Sequence, residues 1–184
     1  ILGQISPSVF WHLGEIFYEV VPEGVGLMVV TLGVDDPSSK EQVDKALSKI
    51  EEAALELGRG GPDFICLSGE PLILSRGPEF NEQIIKRIHE ITGLPAITTL
   101  NAVTNALSTL HLKKLIVVSP RNPLSDRRKK EFLEAKGFEV INQKGPAIRS
   151  NADKRKLPMS VPYNAAKEAC VETPEADGIY MPCG

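Results

Sequence analysis

Asp63-Phe64-Ile65-Cys66-Leu67-Ser68-Gly69 has a counterpart 114 residues further along, Asp177-Gly178-Ile179-Tyr180-Met181-Pro182-Cys183. Each stretch opens on an aspartate, runs through a short apolar segment and closes on a small residue, as a buried strand does when it feeds a turn. Two more pairs keep nearly the same spacing. Ile5-Ser6-Pro7-Ser8 matches Val118-Ser119-Pro120-Arg121, with the serines at 6 and 119 standing 113 residues apart. Gly24-Val25-Gly26-Leu27 matches Gly137-Phe138-Glu139-Val140, also 113 apart. Any one of these pairs is weak, but three in order at one offset indicate two similar halves.

Working outward from the repeat, short apolar runs alternate with longer amphipathic ones, the βαβα pattern of a parallel sheet covered on both faces. Strands are expected at 2–5, 26–31, 64–68, 96–98, 115–118, 139–141 and 178–181, and helices at 40–57, 78–91, 101–110, 125–136 and 162–171. Val43, Ala46, Leu47, Ile50, Ala54 and Leu57 recur at helical spacing behind a Ser39 cap, and Gly58 is expected to end that helix. Ser125 is expected to cap the helix that closes at Gly137, and 142–160 reads as a loop with a short helix. The fold class expected is α/β, built as two pseudo-symmetric flavodoxin-like βαβαβ halves with parallel sheets and an active-site cleft between them. The halves are placed at 1–112 and 113–184, the second incomplete at its C-terminal end, because the first continues well past Gly69 while the chain stops one residue after Cys183.

The bulk composition excludes several classes. Hydrophobic residues make up 42% and charged residues 24%, ordinary for a globular chain, and the net charge of -3 gives no case for nucleic acid or an anionic membrane surface. No apolar run reaches the roughly 18 residues that a membrane span needs. Three cysteines without close pairing make neither a disulfide framework nor a zinc site, so a reducing cytoplasm is the default location and no metal is expected. No dinucleotide fingerprint occurs, and Gly58-Arg59-Gly60-Gly61 lies between a helix and a strand, the wrong side for phosphate.

In open parallel sheets ligands bind beyond the carboxyl ends of the strands. The repeat makes Gly69 equivalent to Cys183, and Ser8 equivalent to Arg121. The turns after strands, at Ser6–Ser8, Gly69–Glu70, Ser119–Arg121 and Cys183–Gly184, are therefore the candidate donors of backbone N–H groups and hydroxyls to a substrate oxygen. Cys183 is the candidate reactive group, since a thiol near its ordinary pKa of about 8.5 can give or take a proton after a modest shift.

The residues Gly3-Gln4-Ile5-Ser6-Pro7, Pro22-Glu23-Gly24-Val25, Ser75-Arg76-Gly77-Pro78-Glu79-Phe80-Asn81, Thr92-Gly93-Leu94-Pro95 and Asp177–Gly184 carry a resemblance. Over nearly its whole length the chain resembles the aspartate/glutamate racemase superfamily, most closely its arylmalonate decarboxylase and maleate cis-trans isomerase branches. Racemases and isomerases of that superfamily use two cysteines, one from each half; the decarboxylase has glycine at the first position. Gly69 and Cys183 fit the decarboxylase arrangement. Cys66 lies three residues too early to replace the first cysteine.

The resemblance implies a cofactor-independent decarboxylase-like lyase acting on a small malonate-type carboxylate, with Cys183 as proton donor opposite Gly69. It implies substrate contacts at Ser6, Pro7, Ser8, Glu70, Pro71, Ser119, Arg121 and Gly184. A maleate isomerase or an Asp/Glu/hydantoin-type racemase stays open, as does a carboxylate-binding protein without catalysis, and so does a homo-oligomer. Two departures bear on the substrate. Glu70 and Pro71 stand where the decarboxylase has small hydroxyl residues, and a carboxylate at Glu70 repels an anionic substrate unless protonated or paired. Arg121 stands in place of a tyrosine and either grips a carboxylate or neutralises Glu70. Cys66 and Cys170 read as core residues, His12 as either a cleft-lining or a surface residue, and Arg127-Arg128-Lys129-Lys130 as a solvated charge run.

Overall fold

The computed structural model describes residues 1–9, 13–148, 153 and 156–182. The chain divides into two compact units, Ile1–Ala102 and Val103–Gly184. The division falls inside a helix, Thr99–Thr109, and so lies ten residues before the 112/113 boundary read from the sequence.

In the first unit the strands β1 (Leu2–Ser6), β2 (Leu27–Thr31), β3 (Phe64–Leu67) and β4 (Ala96–Thr98) form one parallel sheet in the order β2-β1-β3-β4. Ile5, Ile65 and Leu67 are fully buried, which is what a strand covered on both faces requires. Its helices are α1 (Leu13–Val20), α2 (Lys40–Ser48), α3 (Ile50–Gly60), α4 (Glu70–Leu74) and α5 (Phe80–Thr92), and α6 (Thr99–Thr109) begins in this unit and ends in the second.

The expected single helix over 40–57 is two. Ser39 does cap its start, accepting from the Gln42 N–H at 3.4 Å. The break at Lys49 has a local cause: the Ser48 hydroxyl donates to the Lys45 carbonyl at 2.8 Å, and Lys49 N–H bonds Ala46 one residue short of helical spacing. The apolar stripe survives the break, with Val43 and Ala46 buried on α2 and Ile50, Ala53, Ala54 and Leu57 on α3. Gly58 does not end it; the helix runs to Gly60 and is capped by Gly61 in the left-handed region. Helices α1 and α4 had no sequence signal long enough to identify them, α4 being five residues.

In the second unit β5 (Lys114–Val118), β6 (Glu139–Lys144) and β7 (Gly178–Tyr180) form a parallel sheet in the order β6-β5-β7, with α7 (Pro123–Ala135) and α8 (Ser160–Glu172). This is the order of the first three strands of the other unit, so the repeat in the sequence is a repeat of topology. Leu115, Ile116, Val117 and Val118 are all buried, and the small residues Ala166 and Ala169 let α8 lie against Ile116 and Val118. Helix α7 is capped by Asn122, whose side chain accepts from the Leu124 and Ser125 N–H groups at 3.2 and 3.1 Å, with Pro123 at the first helical position. The expected cap at Ser125 is thus moved three residues earlier. Strand β6 runs three residues beyond expectation, to Lys144, and Cys170 is exposed on α8 rather than a core residue.

The two halves also start their strands alike. Asp63 N–H donates to the Ile1 carbonyl at 2.9 Å, and Asp177 N–H donates to the Lys114 carbonyl at 2.8 Å. The Asp63 carboxylate takes the Ile1 nitrogen, while the Asp177 carboxylate accepts the Lys113 and Lys114 N–H groups at 3.0 and 2.7 Å. Those backbone N–H groups hold the Asp177 carboxyl below its usual 3.8. A depressed carboxyl contributes stability that is present above the unfolded pKa and lost as the pH falls through the folded one. Asp177→Asn should therefore melt below the wild type at pH 7. The gap should close as the pH is lowered beneath about 3.8, read by thermal melts across a pH series.

Candidate functional site

Strand ends are where the buried backbone of each unit first becomes free to meet a ligand, and the predicted residues that the structure describes lie at or just after them. In the first unit Ser6 closes β1 and is 1% exposed; its hydroxyl donates to the Ser8 carbonyl at 2.8 Å. Ser8 in turn donates to the Val34 carbonyl, and Val34 N–H returns a bond to the Pro7 carbonyl at 2.7 Å. Both hydroxyls are thus used to shape the turn after β1. Ser68 completes the row, donating to Ile5 and accepting from Gln4 at 3.1 and 3.3 Å.

Gly69 follows at the amino end of α4 with φ 104° and ψ 77°, in the region that disfavours any residue with a Cβ. A Cβ built there would stand 2.8 Å from Cγ of Pro7, a ring that cannot swing away. Two independent constraints therefore demand glycine at 69. Glu70 and Pro71 open α4; Glu70 is 6% exposed, its carboxylate at the helix end where the dipole favours negative charge.

A residue that sequence reasoning missed stabilises the neighbouring strand end. Asn81 is fully buried and accepts from Thr98, the last residue of β4, at 2.6 Å, while its amide donates to Asn101. Its signal was present: Asn81, Ile84 and Ile88 share the buried stripe of α5.

In the second unit Ser119 follows β5, 5% exposed, with its N–H on the Lys144 carbonyl at 2.9 Å. Its hydroxyl accepts from Lys129 Nζ at 3.0 Å. Lys129 is 4% exposed, so the reading of 127–130 as a solvated run fails at this residue. It lies on α7 in the stripe Asp126, Lys129, Phe132 and Leu133, all buried, and that helical spacing was the overlooked signal. Asp126, 4% exposed, accepts from Arg121 Nε at 3.1 Å and from the Asn122 N–H at 3.2 Å, while Arg121 also donates to the Gln143 carbonyl. Arg121 is therefore held by its own unit, with about a third of its side chain exposed.

Cys183 and Gly184, which follow β7, lie outside the described residues, as does His12. Cys66 is buried inside β3, and burial pushes its thiol up to about 11, so its thiolate is suppressed. No group of three metal-ligating side chains occurs among the described residues, and no helix there is long and apolar enough to cross a membrane. A cavity of about 430 Å³ in the first unit lies between α2, α3 and α5 and is flanked by the Arg87–Glu51 and Arg76–Asp44 pairs, away from the strand ends.

The family model described as arylmalonate decarboxylase matches residues 16–184. The arylmalonate decarboxylase of Bordetella bronchiseptica is 24% identical over 164 residues, covering 89% of this chain and 65% of the relative. The maleate isomerase of Geobacillus stearothermophilus is 23% identical over 120 residues, covering 62% of this chain and 48% of the relative. The chain thus spans less than two thirds of the length of either. A solved maleate cis-trans isomerase from Nocardia farcinica, a cysteine-to-serine mutant with a covalently bound succinylcysteine intermediate, superposes with a TM-score of 0.83 at 16% identity over 97% of this chain and 75% of its own.

Gly69→Ala should cost roughly 1–3 kcal/mol, the range for a residue forced into a disfavoured backbone region, read as a lowered unfolding midpoint. Iodoacetamide at pH 8 on the native protein should label exposed Cys170 and spare Cys66, which should react only after denaturation; peptide mass mapping checks both.

Proposed function

The chain belongs to the arylmalonate decarboxylase family, and from that premise we propose that it is a cofactor-independent lyase that removes one carboxylate from a small malonate-type acid. The bond between the α-carbon and the departing carboxylate breaks, CO2 leaves, and the electron pair delocalises into the retained carboxylate as an enediolate. The Cys183 thiol gives its proton to the α-carbon and regains one from solvent. The enediolate carries more charge on oxygen than the substrate did, so fixed donors aimed at that carboxylate lower the barrier without reorganising. In this reading Ser119, Arg121 and the main-chain N–H groups of Gly69 and Gly184 supply those donors, while Pro7 and Pro71, which have no N–H, only shape the site. Ser6 and Ser8 shape the turn instead, because their hydroxyls already serve carbonyls.

The observation that carries the reading is Gly69. Racemisation needs an acid and a base, and the position equivalent to Cys183 has no thiol and a backbone hostile to one. Protonation after CO2 loss needs only the acid. Cys66 does not substitute, since a thiol pushed up to about 11 is a poor base at neutral pH. Isomerisation of maleate through a thiol adduct is the second reading, favoured by the succinylcysteine captured in a protein of the same fold.

The test is turnover of phenylmalonate and of maleate, followed by mass spectrometry and CO2 release. The expected result is a monocarboxylic product with release of CO2, and a loss of at least about 100-fold in kcat for Cys183→Ala and Cys183→Ser, the usual scale for removing a general acid. A maleate product of unchanged mass without CO2 would establish the isomerase instead. Full turnover in both cysteine variants would remove Cys183 from the mechanism.

A further inference from the structure

Helix α7 turns two charged residues inward, and each grips one residue of the turn that follows β5. Lys129 Nζ donates to Ser119 Oγ at 3.0 Å, and Asp126 accepts from Arg121 Nε at 3.1 Å; both gripping residues are 4% exposed. A lysine is seldom buried this deeply without a task, because stripping water from its amine is costly. Its neighbours on the same stripe are Phe132 and Leu133, so an apolar side chain would suit the site on packing grounds alone.

Ser119 is fixed at its backbone too. Its N–H is bonded to Lys144, and the next residue of that segment, Gly145, has φ 147° and lies so close that a Cβ there would stand 2.0 Å from the Ser119 carbonyl oxygen. With one lone pair of Oγ taken by Lys129, the hydroxyl keeps its hydrogen to donate. A hydroxyl that accepts one hydrogen bond also donates more strongly, through cooperative polarisation. Arg121, pinned through Nε and through the Gln143 carbonyl, keeps further N–H groups on its exposed third. Asp126 Oδ1, buried without a hydrogen-bond partner, leaves the carboxylate biased towards its Arg121 side.

We infer that Lys129 is a positioning residue: it holds the Ser119 hydroxyl as a donor which, beside the Asp126-held Arg121 guanidinium, grips one carboxylate of the substrate. The inference rests on the carboxylate-substrate reading of the same strand end and adds the second layer of residues that makes it work. It also gives Arg121 a single role, as a ligand for carboxylate, at the place where the sequence left two open.

The experiment compares the wild-type chain with Lys129→Met, Ser119→Ala and the double variant, using calorimetric binding of phenylmalonate together with kcat, KM and thermal melts. Each single change should weaken phenylmalonate binding about tenfold, the scale of one hydrogen bond to a charged group. The double variant should be no weaker than the single ones, because Lys129 acts through Ser119. The loss should appear in KM and in the dissociation constant more than in kcat, which a general loss of structure would not produce. Undiminished binding in Lys129→Met, or losses that multiply in the double variant, would overturn the inference. Should Lys129→Met fail to fold, undiminished binding in Ser119→Ala would overturn it equally. Binding of phenylmalonate without turnover by the wild type, with the predicted pattern among the variants, would sink the lyase and uphold the grip.

Discussion

Each unit depends on its first strand, a central one paired on both edges. β1 lies between β2 and β3, and β5 lies between β6 and β7. A strand so placed has its backbone groups committed to neighbours and favours apolar side chains at its buried positions, Ile5 in β1 and Leu115, Ile116, Val117 and Val118 in β5, since an unpaired polar atom there would cost about as much as a lost hydrogen bond. Polar chemistry is thereby pushed to the ends. That is why Ser6 and Ser119, at the end of β1 and just after β5, are buried polar residues in segments that otherwise read as aliphatic. The same constraint fixes the starts, where Asp63 and Asp177 each accept at the opening of the central strand.

This constraint also explains how much the sequence revealed. Strand interiors are legible because covering both faces forces near-continuous apolar runs, and a duplicated requirement produced a duplicated pattern: the offset of the two aspartates is the offset of β3 and β7. Helix ends were less legible, because they are settled by competition among local hydrogen bonds. Ser48 bonding back to Lys45 split one expected helix in two, and Asn122 with Pro123 outcompeted Ser125 as a cap. The first-layer candidates could be named from their place after strands. Lys129, Asp126 and Asn81 could not, because they act from helices and their charge or polarity disguises their place in a buried stripe. The periodicity carries the information, and the run of four adjacent cations at 127–130 masks it.

The two units use the same strand end differently. In the first, hydroxyls at Ser6, Ser8 and Ser68 bond to backbone carbonyls, so the turn is self-contained and neutral apart from Glu70. In the second, the turn is held by charged side chains from α7, one cation on Ser119 and one anion on Arg121. A neutral turn closed by its own hydroxyls is inexpensive to bury, whereas Lys129 is offset by Ser119 and Asp126 by Arg121 through one oxygen, the other staying without a hydrogen-bond partner. Charged side chains are thus buried behind the turn after β5, and uncharged hydroxyls behind the turn after β1.

Glycine at 69 follows from the same geometry and should not be read as a cysteine that was simply lost. The backbone turns sharply from β3 into α4 at that residue, φ reaches 104°, and the Pro7 ring from the turn after β1 closes over the place where a Cβ would sit. A thiol there would need both the turn and the proline to give way, so the local fold favours the same residue as the proposed single-acid chemistry. Cys66, three residues earlier, shows the alternative: a thiol on the strand itself is packed into the core and pushed up to about 11, where it serves packing rather than proton transfer. A thiol intended for chemistry must therefore sit beyond a strand end, where Cys183 lies in the sequence, and not within a strand.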